Sequence, residues 1–294
     1  MNAKGSSSSE SSKVWFVTGS SSGFGRAIAE EALERGDRVV ATARNPDTLA
    51  DLAAKAPERV LLTELDVTRP EQVRAAVAAA MARFGRIDVL VNNAGFSIVG
   101  AVEETSDEDL RATMELMFFG AVAMTKEVLP HMRERKSGTI VQITSVGGLI
   151  TAPGFGPYCA AKHALEGLSE ALSQEVAPLG IRVLVVEPGA FRTALFGSAF
   201  RRMPTIDAYA TTVGATRAWT SATAGAQVGD PVKAASAIVG EVSRPESGAD
   251  LPFRLPLGGD AVDSIRTKLA TVARDVDRTE QAARATAFVL SNLS

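Results

Sequence analysis

The sequence predicts an α/β fold: a Rossmann-like, doubly wound parallel sheet of about seven strands flanked by helices. Two observations predict it. Short apolar runs, mostly continuous Val/Ile/Leu, alternate with longer stretches of helical periodicity, the pattern of repeated βα units. A glycine-rich turn also follows the first apolar run and opens the first helix. Strands without polar alternation belong to sheets covered on both faces.

In order, the strands are expected at 14–18, 38–43, 60–65, 87–92, 139–143 and 182–187, with a seventh at 253–257. Helices are expected at 26–35, 71–84, 107–127, 157–179, 231–242 and 260–288. Gly36, Gly85 and Gly180 stand just past three of these helices, where a left-handed cap belongs. Residues 194–228 are rich in Ala, Thr and Gly and carry few element signals. They follow the sixth strand on the ligand-binding edge and read either as a mobile substrate lid or as a plain surface helix pair. Residues 1–12 are Ser-rich and polar and read as a flexible tail. Residues 13–294 then form one domain, with the lid at 194–228 and a helical extension at 260–290.

Composition narrows the function classes. The 294 residues are 46% hydrophobic and 22% charged, with a net charge of -3, and Lys and Arg are scattered rather than clustered. A nucleic-acid partner would call for a basic patch. No run approaches the roughly 20 apolar residues that span a bilayer, and the N-terminus lacks the apolar segment of a secretory signal. One cysteine, Cys159, and two histidines, His131 and His163, exclude an internal disulfide and make a His- or Cys-built metal centre improbable. The expectation is a cytoplasmic protein acting on a small molecule, with no metal, membrane or nucleic-acid partner.

The first strand runs into Gly19-Ser20-Ser21-Ser22-Gly23-Phe24-Gly25. Such a turn lets the backbone approach a pyrophosphate, and the helix that follows offers free N–H groups and the positive end of its dipole. Gly19, Ser21, Ser22, Gly23, Phe24 and Gly25 are therefore candidate cofactor contacts. At the end of the second strand, where an NAD enzyme places an acid for the ribose hydroxyl, the sequence reads Ala41-Thr42-Ala43-Arg44-Asn45. The Arg44 guanidinium suits a 2′-phosphate, so NADP(H) is favoured over NAD(H).

Tyr158 and Lys162 fall four residues apart in a helical pattern, on one face. A tyrosine titrates near pH 10 when free, and a neighbouring ammonium is expected to lower it into a useful acid–base range. Ser145, at the end of the fifth strand, faces the same crevice and is placed to hold a substrate oxygen beside the tyrosine. The candidate catalytic residues are Ser145, Tyr158 and Lys162, and Ser145 and Tyr158 are also the candidate substrate contacts.

Thr18-Gly19-x3-Gly23-x-Gly25, Asp66-Val67, Asn92-Asn93-Ala94-Gly95, Ser145, Tyr158-x3-Lys162 and Pro188-Gly189 with Thr193 occur in one order across residues 14–193. In that combination the chain resembles the short-chain dehydrogenase/reductase superfamily. The resemblance implies hydride transfer between a nicotinamide and a ketone or alcohol. It implies adenine contacts from Asp66 and Val67, and a cofactor wall from Asn93, Ala94 and Gly95. It assigns nicotinamide contacts to Pro188, Gly189 and Thr193, and cofactor contacts to Tyr158 and Lys162, with Lys162 at the ribose hydroxyls. One family feature is missing: Met117 stands where many members carry an asparagine that supports a proton-relay water. Phe118 and Phe119 beside it read as core.

Two other classes compete. A nucleotide-binding sensor without turnover would normally lose the Tyr158/Lys162 pair. A sugar-nucleotide epimerase or dehydratase would carry a larger C-terminal domain and a different glycine spacing. The expected substrate is a hydrophobic ketone or secondary alcohol, with Gly147, Ala152, Phe155, Ala190 and the 194–228 segment around it. No Arg or Lys is obviously set to clamp an acyl or phosphate group, although Arg192, Arg201 and Arg202 lie near the lid. Family resemblance further implies a dimer or tetramer through the helices at 107–127 and 157–179.

Overall fold

Alternate residues of the first strand serve two different cores. In β1 (Val14–Val17), Trp15 and Val17 pack with Ile28, Ala32 and Ile238, while Val14 and Phe16 pack with Val77, Met124 and Ile140 on the opposite face. All four are fully buried, which explains the unbroken apolar run. The computed structural model describes residues 12–197, 199–244 and 252–288; most of the expected tail at 1–12 lies outside them.

The remaining strands are β2 (Arg38–Ala43), β3 (Val60–Glu64), β4 (Val89–Asn92), β5 (Ser97–Val99), β6 (Gly138–Ile143), β7 (Ile181–Pro188), β8 (Phe200–Arg202) and β9 (Arg254–Leu257). Seven form one parallel sheet in the order β3-β2-β1-β4-β6-β7-β9. Helices α1 (Gly23–Glu34) and α8 (Pro231–Val242) cover one face, with α2 (Ala50–Lys55) at the edge. On the other face lie α3 (Pro70–Phe84), α5 (Gly120–Arg135) and α6 (Gly156–Val176). The strand order reverses between β1 and β4, and the crevice beyond their carboxyl ends is where an open α/β sheet binds ligands.

Gly36, Gly85 and Gly180 all adopt positive φ past their helices, as expected. Elsewhere the structure differs. The segment expected as one helix from 107 is α4 (Asp107–Met114), a π-helical turn over Glu115–Phe119, and then α5, which continues through Pro130 to a left-handed Lys136. The wider turn rotates Phe119 outward: it is 50% exposed rather than core, edge-on to Phe118 at 5.0 Å. Residues 194–228 are more structured than their composition suggests. They contain β8, which pairs in parallel with β5, and α7 (Val213–Thr223). Strands of three residues leave too short a periodic signal to be read. The last helix, α9 (Gly259–Arg284), buries only Ala261.

Candidate active site

The glycine turn is held by the neighbouring strand ends rather than by its own residues. Thr18 Oγ1 donates to the Val91 carbonyl at 3.1 Å and accepts from the Asn93 and Ala94 N–H groups at 2.8 and 3.0 Å. Asn93 Nδ2 in turn donates to the Thr18 and Gly19 carbonyls at 2.9 and 3.1 Å. These bonds weld the turn after β1 to the loop after β4. Gly19 sits at φ 67° and Gly23 at φ 57°, which an L side chain rarely adopts. Gly25 was expected to touch a cofactor, but it does not reach the cavity wall. A Cβ there would overlap the Gly19 carbonyl and Asn93 Nδ2, so its part is close packing under the turn. Ser22, the residue before α1, makes no side-chain cap, so the first N–H groups of that helix remain available to an anion.

A cavity of about 780 Å³ runs along the carboxyl edge of the sheet. Gly19, Ser21, Ser22, Gly23, Phe24, Arg44, Asp66, Val67, Asn93, Ala94, Gly95, Ser145, Tyr158, Lys162, Pro188, Gly189 and Thr193 all line it. Of the residues expected around a substrate, Ala190 lines it, but Gly147, Ala152 and Phe155 do not. Gly147 packs behind the Tyr158 ring, where a Cβ would lie 3.1 Å from Cε1. Ala152 faces outward, and the Phe155 ring supports Tyr158 from outside the cavity at 6.2 Å between centroids.

The far wall is supplied by Phe96, Leu116, Met117, Leu195, Ala199 and Arg201. Phe96 directly follows Asn93-Ala94-Gly95 and was legible as a neighbour of that motif. Ala199 and Arg201 reach the site only because β8 pairs with β5. Arg201 lies 4.2 Å above the Phe96 ring and 3.6 Å from Asp109. Arg192 and Arg202 turn elsewhere, to the Gln227 carbonyl and to Ser221.

Tyr158 and Lys162 project from the first two turns of α6, and Ser145 from the end of β6. The Ser145 hydroxyl accepts from the Gly147 N–H at 3.0 Å and lies 3.5 Å from the Pro188 carbonyl. Burial pushes the Tyr158 hydroxyl up to about 12, with a hydrogen bond to Ser145 acting the other way. This corrects the expectation of a tyrosine lowered by its lysine. Lys162 Nζ lies 5.9 Å from the tyrosine ring centroid and donates to the Ile143 carbonyl at 2.9 Å. Burial brings the ammonium itself down to about 8, opposed by Glu166 one turn further along α6.

At the other end of the cavity, Arg44 is exposed beside Asp66. Burial raises the Asp66 carboxyl, but two hydrogen bonds from Thr68, with Arg44 and Arg69 nearby, hold it below its ordinary value. Sequence reasoning missed Asp260. From the start of α9 its carboxylate accepts from the Ala190 N–H at 2.8 Å and fixes the Pro188-Gly189-Ala190 loop. No motif signals a contact spanning seventy positions.

This arrangement has counterparts among known proteins. The family model for short chain dehydrogenase matches residues 13–205. Oxidoreductase BOA17 from Botryotinia fuckeliana is 45% identical over 253 residues, covering 85% of this chain and 90% of the relative. The crystal structure of a short-chain dehydrogenase from Streptomyces avermitilis superposes with a TM-score of 0.88 at 49% identity, covering 95% of this chain and all of the other. A gluconate 5-dehydrogenase from Burkholderia cenocepacia, solved with NADP and tartrate, is 32% identical with a TM-score of 0.60, covering 63% and 74%. The chain belongs to the short-chain dehydrogenase/reductase family and is an oxidoreductase of that family.

Proposed function

We propose that this protein is an NADP(H)-dependent carbonyl reductase or secondary alcohol dehydrogenase, with Tyr158 as its general acid and base. The observation that carries the reading is the convergence of Ser145, Tyr158 and Lys162 on the same cavity as the uncapped N-terminus of α1. The residues present fit a dinucleotide. The left-handed Gly19 and Gly23 and the first N–H groups of α1 make a cradle for a pyrophosphate, and Asp66 and Val67 flank an adenine position. Asn93, Ala94, Gly95, Pro188, Gly189 and Thr193 border the path between them and Tyr158. Arg44 on the rim selects a 2′-phosphate through charge-assisted hydrogen bonds. The gluconate 5-dehydrogenase relative was solved with NADP and a 27% identical 3-ketoacyl-(acyl-carrier-protein) reductase from Brucella melitensis with NADH; both support a nicotinamide dinucleotide here, and Arg44 alone carries the choice of NADP.

A bound nicotinamide supplies the hydride in reduction and takes it in oxidation. The chain's own residues position the substrate and move the proton. The Ser145 hydroxyl, fixed by the Gly147 N–H, donates to the substrate oxygen. Tyr158 Oη lies beside it and, raised to about 12, holds its proton at neutral pH, which suits proton donation to a carbonyl oxygen as charge develops there. Lys162 would hold the ribose hydroxyls of a bound cofactor, and its ammonium stabilises the tyrosinate that donation leaves. Met117, 1% exposed against Gly95, offers no side-chain hydrogen bond of the strength an asparagine amide gives a relay water, which leaves Lys162 as the chain's own group beside Tyr158 that holds an exchangeable proton. The wall of Phe96, Leu116, Met117, Leu195 and Ala199, apolar but for Arg201 stacked on Phe96, favours a hydrophobic ketone, with 194–228 acting as its lid.

A panel of ketones and aldehydes, followed by loss of NADPH absorbance, tests the reading. Turnover of hydrophobic ketones above charged acyl thioesters is expected. Tight NADPH binding without turnover of any member would instead leave a nucleotide sensor.

A further inference from the structure

Helix α9 leaves the body of the protein after its first two turns. Ala261 is fully buried and Val262 and Ile265 are half-buried; from Arg266 to Arg284 every residue is exposed except Thr271. Apolar side chains nevertheless continue along the exposed part. Val262, Ile265, Leu269, Val272 and Val276, followed by Thr279 and Ala283, recur at alternating steps of three and four. That spacing places all seven on one stripe, the a and d positions of three successive heptads and the a position of a fourth. Leu269, Val272 and Val276 are 61%, 44% and 60% exposed. Thr279 Oγ1 donates back to the Asp275 carbonyl at 2.9 Å, satisfying its hydroxyl within the helix.

The charges around the stripe identify what covers it. Arg266, Lys268, Arg274, Arg278 and Arg284 balance Asp260, Asp263, Asp275, Asp277 and Glu280, so the helix carries no net positive charge toward an anionic lipid surface. Lys268 and Asp275 both flank the stripe on the same side, at g positions. In a parallel pair of these helices Asp275 would face Glu280 of the other copy, a like-charge contact. In an antiparallel pair with Leu269 opposite Val272, Ile265 falls opposite Val276 and Val262 opposite Thr279. Lys268 then faces Asp275, and twofold symmetry makes that pair twice.

We propose that α9 is a homodimerisation helix, pairing antiparallel with α9 of a second copy through Val262, Ile265, Leu269, Val272 and Val276, in the register set by Lys268 and Asp275. This contact is separate from the helices at 107–127 and 157–179.

Cross-linking of the full chain tests it. Cys159 is buried and stays a bystander. The double variant Lys268→Cys with Asp275→Cys, mildly oxidised at micromolar concentration, should give a disulfide-bridged dimer on a non-reducing gel. Lys268→Cys alone should not, because each position 268 faces 275 and not itself. Adding Leu269→Asp and Val276→Asp to the double variant should lower the cross-linked yield about tenfold or more, with helix content by circular dichroism and NADPH affinity unchanged. A wild-type chain that is strictly monomeric by light scattering overturns the proposal. So does a double variant that cross-links no better than Lys268→Cys alone, or a cross-link that survives the two aspartates; the stripe would then belong to a different protein or to lipid.

Discussion

The two ends of the cavity are built differently. At one end Tyr158, Lys162 and Ser145 stand on a helix and a strand end, Tyr158 and Lys162 buried, with Ser145 and Lys162 tied to the backbone at Gly147 and Ile143. At the other, Arg44 projects into solvent from the end of β2. Chemistry needs reacting groups held within fractions of an ångström, and rigid elements supply that. Choosing NADP over NAD, on the reading proposed above, needs only a cation within reach of a phosphate, which one exposed side chain can supply. The contrast implies that damage at the Tyr158 end removes rate, while damage at the Arg44 end redistributes cofactor preference.

Tyr158→Phe separates the two ends most sharply. Loss of the proton donor should cut kcat by about 10²–10⁴-fold while the NADPH Kd, measured by fluorescence titration, stays within about twofold. A matching loss of NADPH affinity would mean that the tyrosine holds cofactor rather than moving a proton. Arg44→Ala should do the reverse. Losing charge-assisted hydrogen bonds worth about 1.5–3 kcal/mol corresponds to a roughly 10- to 100-fold rise in KM for NADPH, with KM for NADH nearly unchanged. Equal effects on both cofactors would contradict the phosphate assignment.

Gly25→Ala probes the weld between the ends. The added methyl would overlap the Gly19 carbonyl and Asn93, and overpacking of this kind costs about 1–3 kcal/mol. Urea unfolding should show that loss together with weaker binding of both cofactors. A smaller effect comes from the buried ammonium. Lys162 is lowered to about 8 from its ordinary 10.5, so between those values the unfolded chain binds more protons than the folded one, and folding gains stability as pH rises. Lys162→Met lacks this contribution. Its stability advantage over the wild type should therefore be largest below pH 8 and shrink toward pH 10. A gap independent of pH would show that the lysine is not buried as a cation.

How much of this was legible in the sequence follows the same divide. Strands buried on both faces announce themselves because Val14, Trp15, Phe16 and Val17 must all be apolar, and Gly36, Gly85 and Gly180 mark helix ends by backbone geometry alone. Residues joined by local geometry, such as Tyr158 and Lys162, were readable from spacing. The far wall of the cavity was not. Arg201 and Ala199 reach the cavity through a three-residue pairing of β5 with β8, and Asp260 holds Ala190 across seventy positions. The protonation of Tyr158 was misread for a related reason. Spacing shows a lysine one turn away, but the depth of burial, which dominates, depends on Phe155, Gly147 and Met117 closing around the ring.

The central claim is that the Ser145, Tyr158 and Lys162 end delivers hydride to a carbonyl carbon. Single-turnover reduction of a reactive hydrophobic ketone with NADPH deuterated at the transferring position tests it directly. The account predicts deuterium on the carbinol carbon of the product with the wild-type chain, and a rate lower by about 10²-fold or more with Tyr158→Phe at equal cofactor occupancy. Saturating NADPH binding with no deuterium in any product would contradict it.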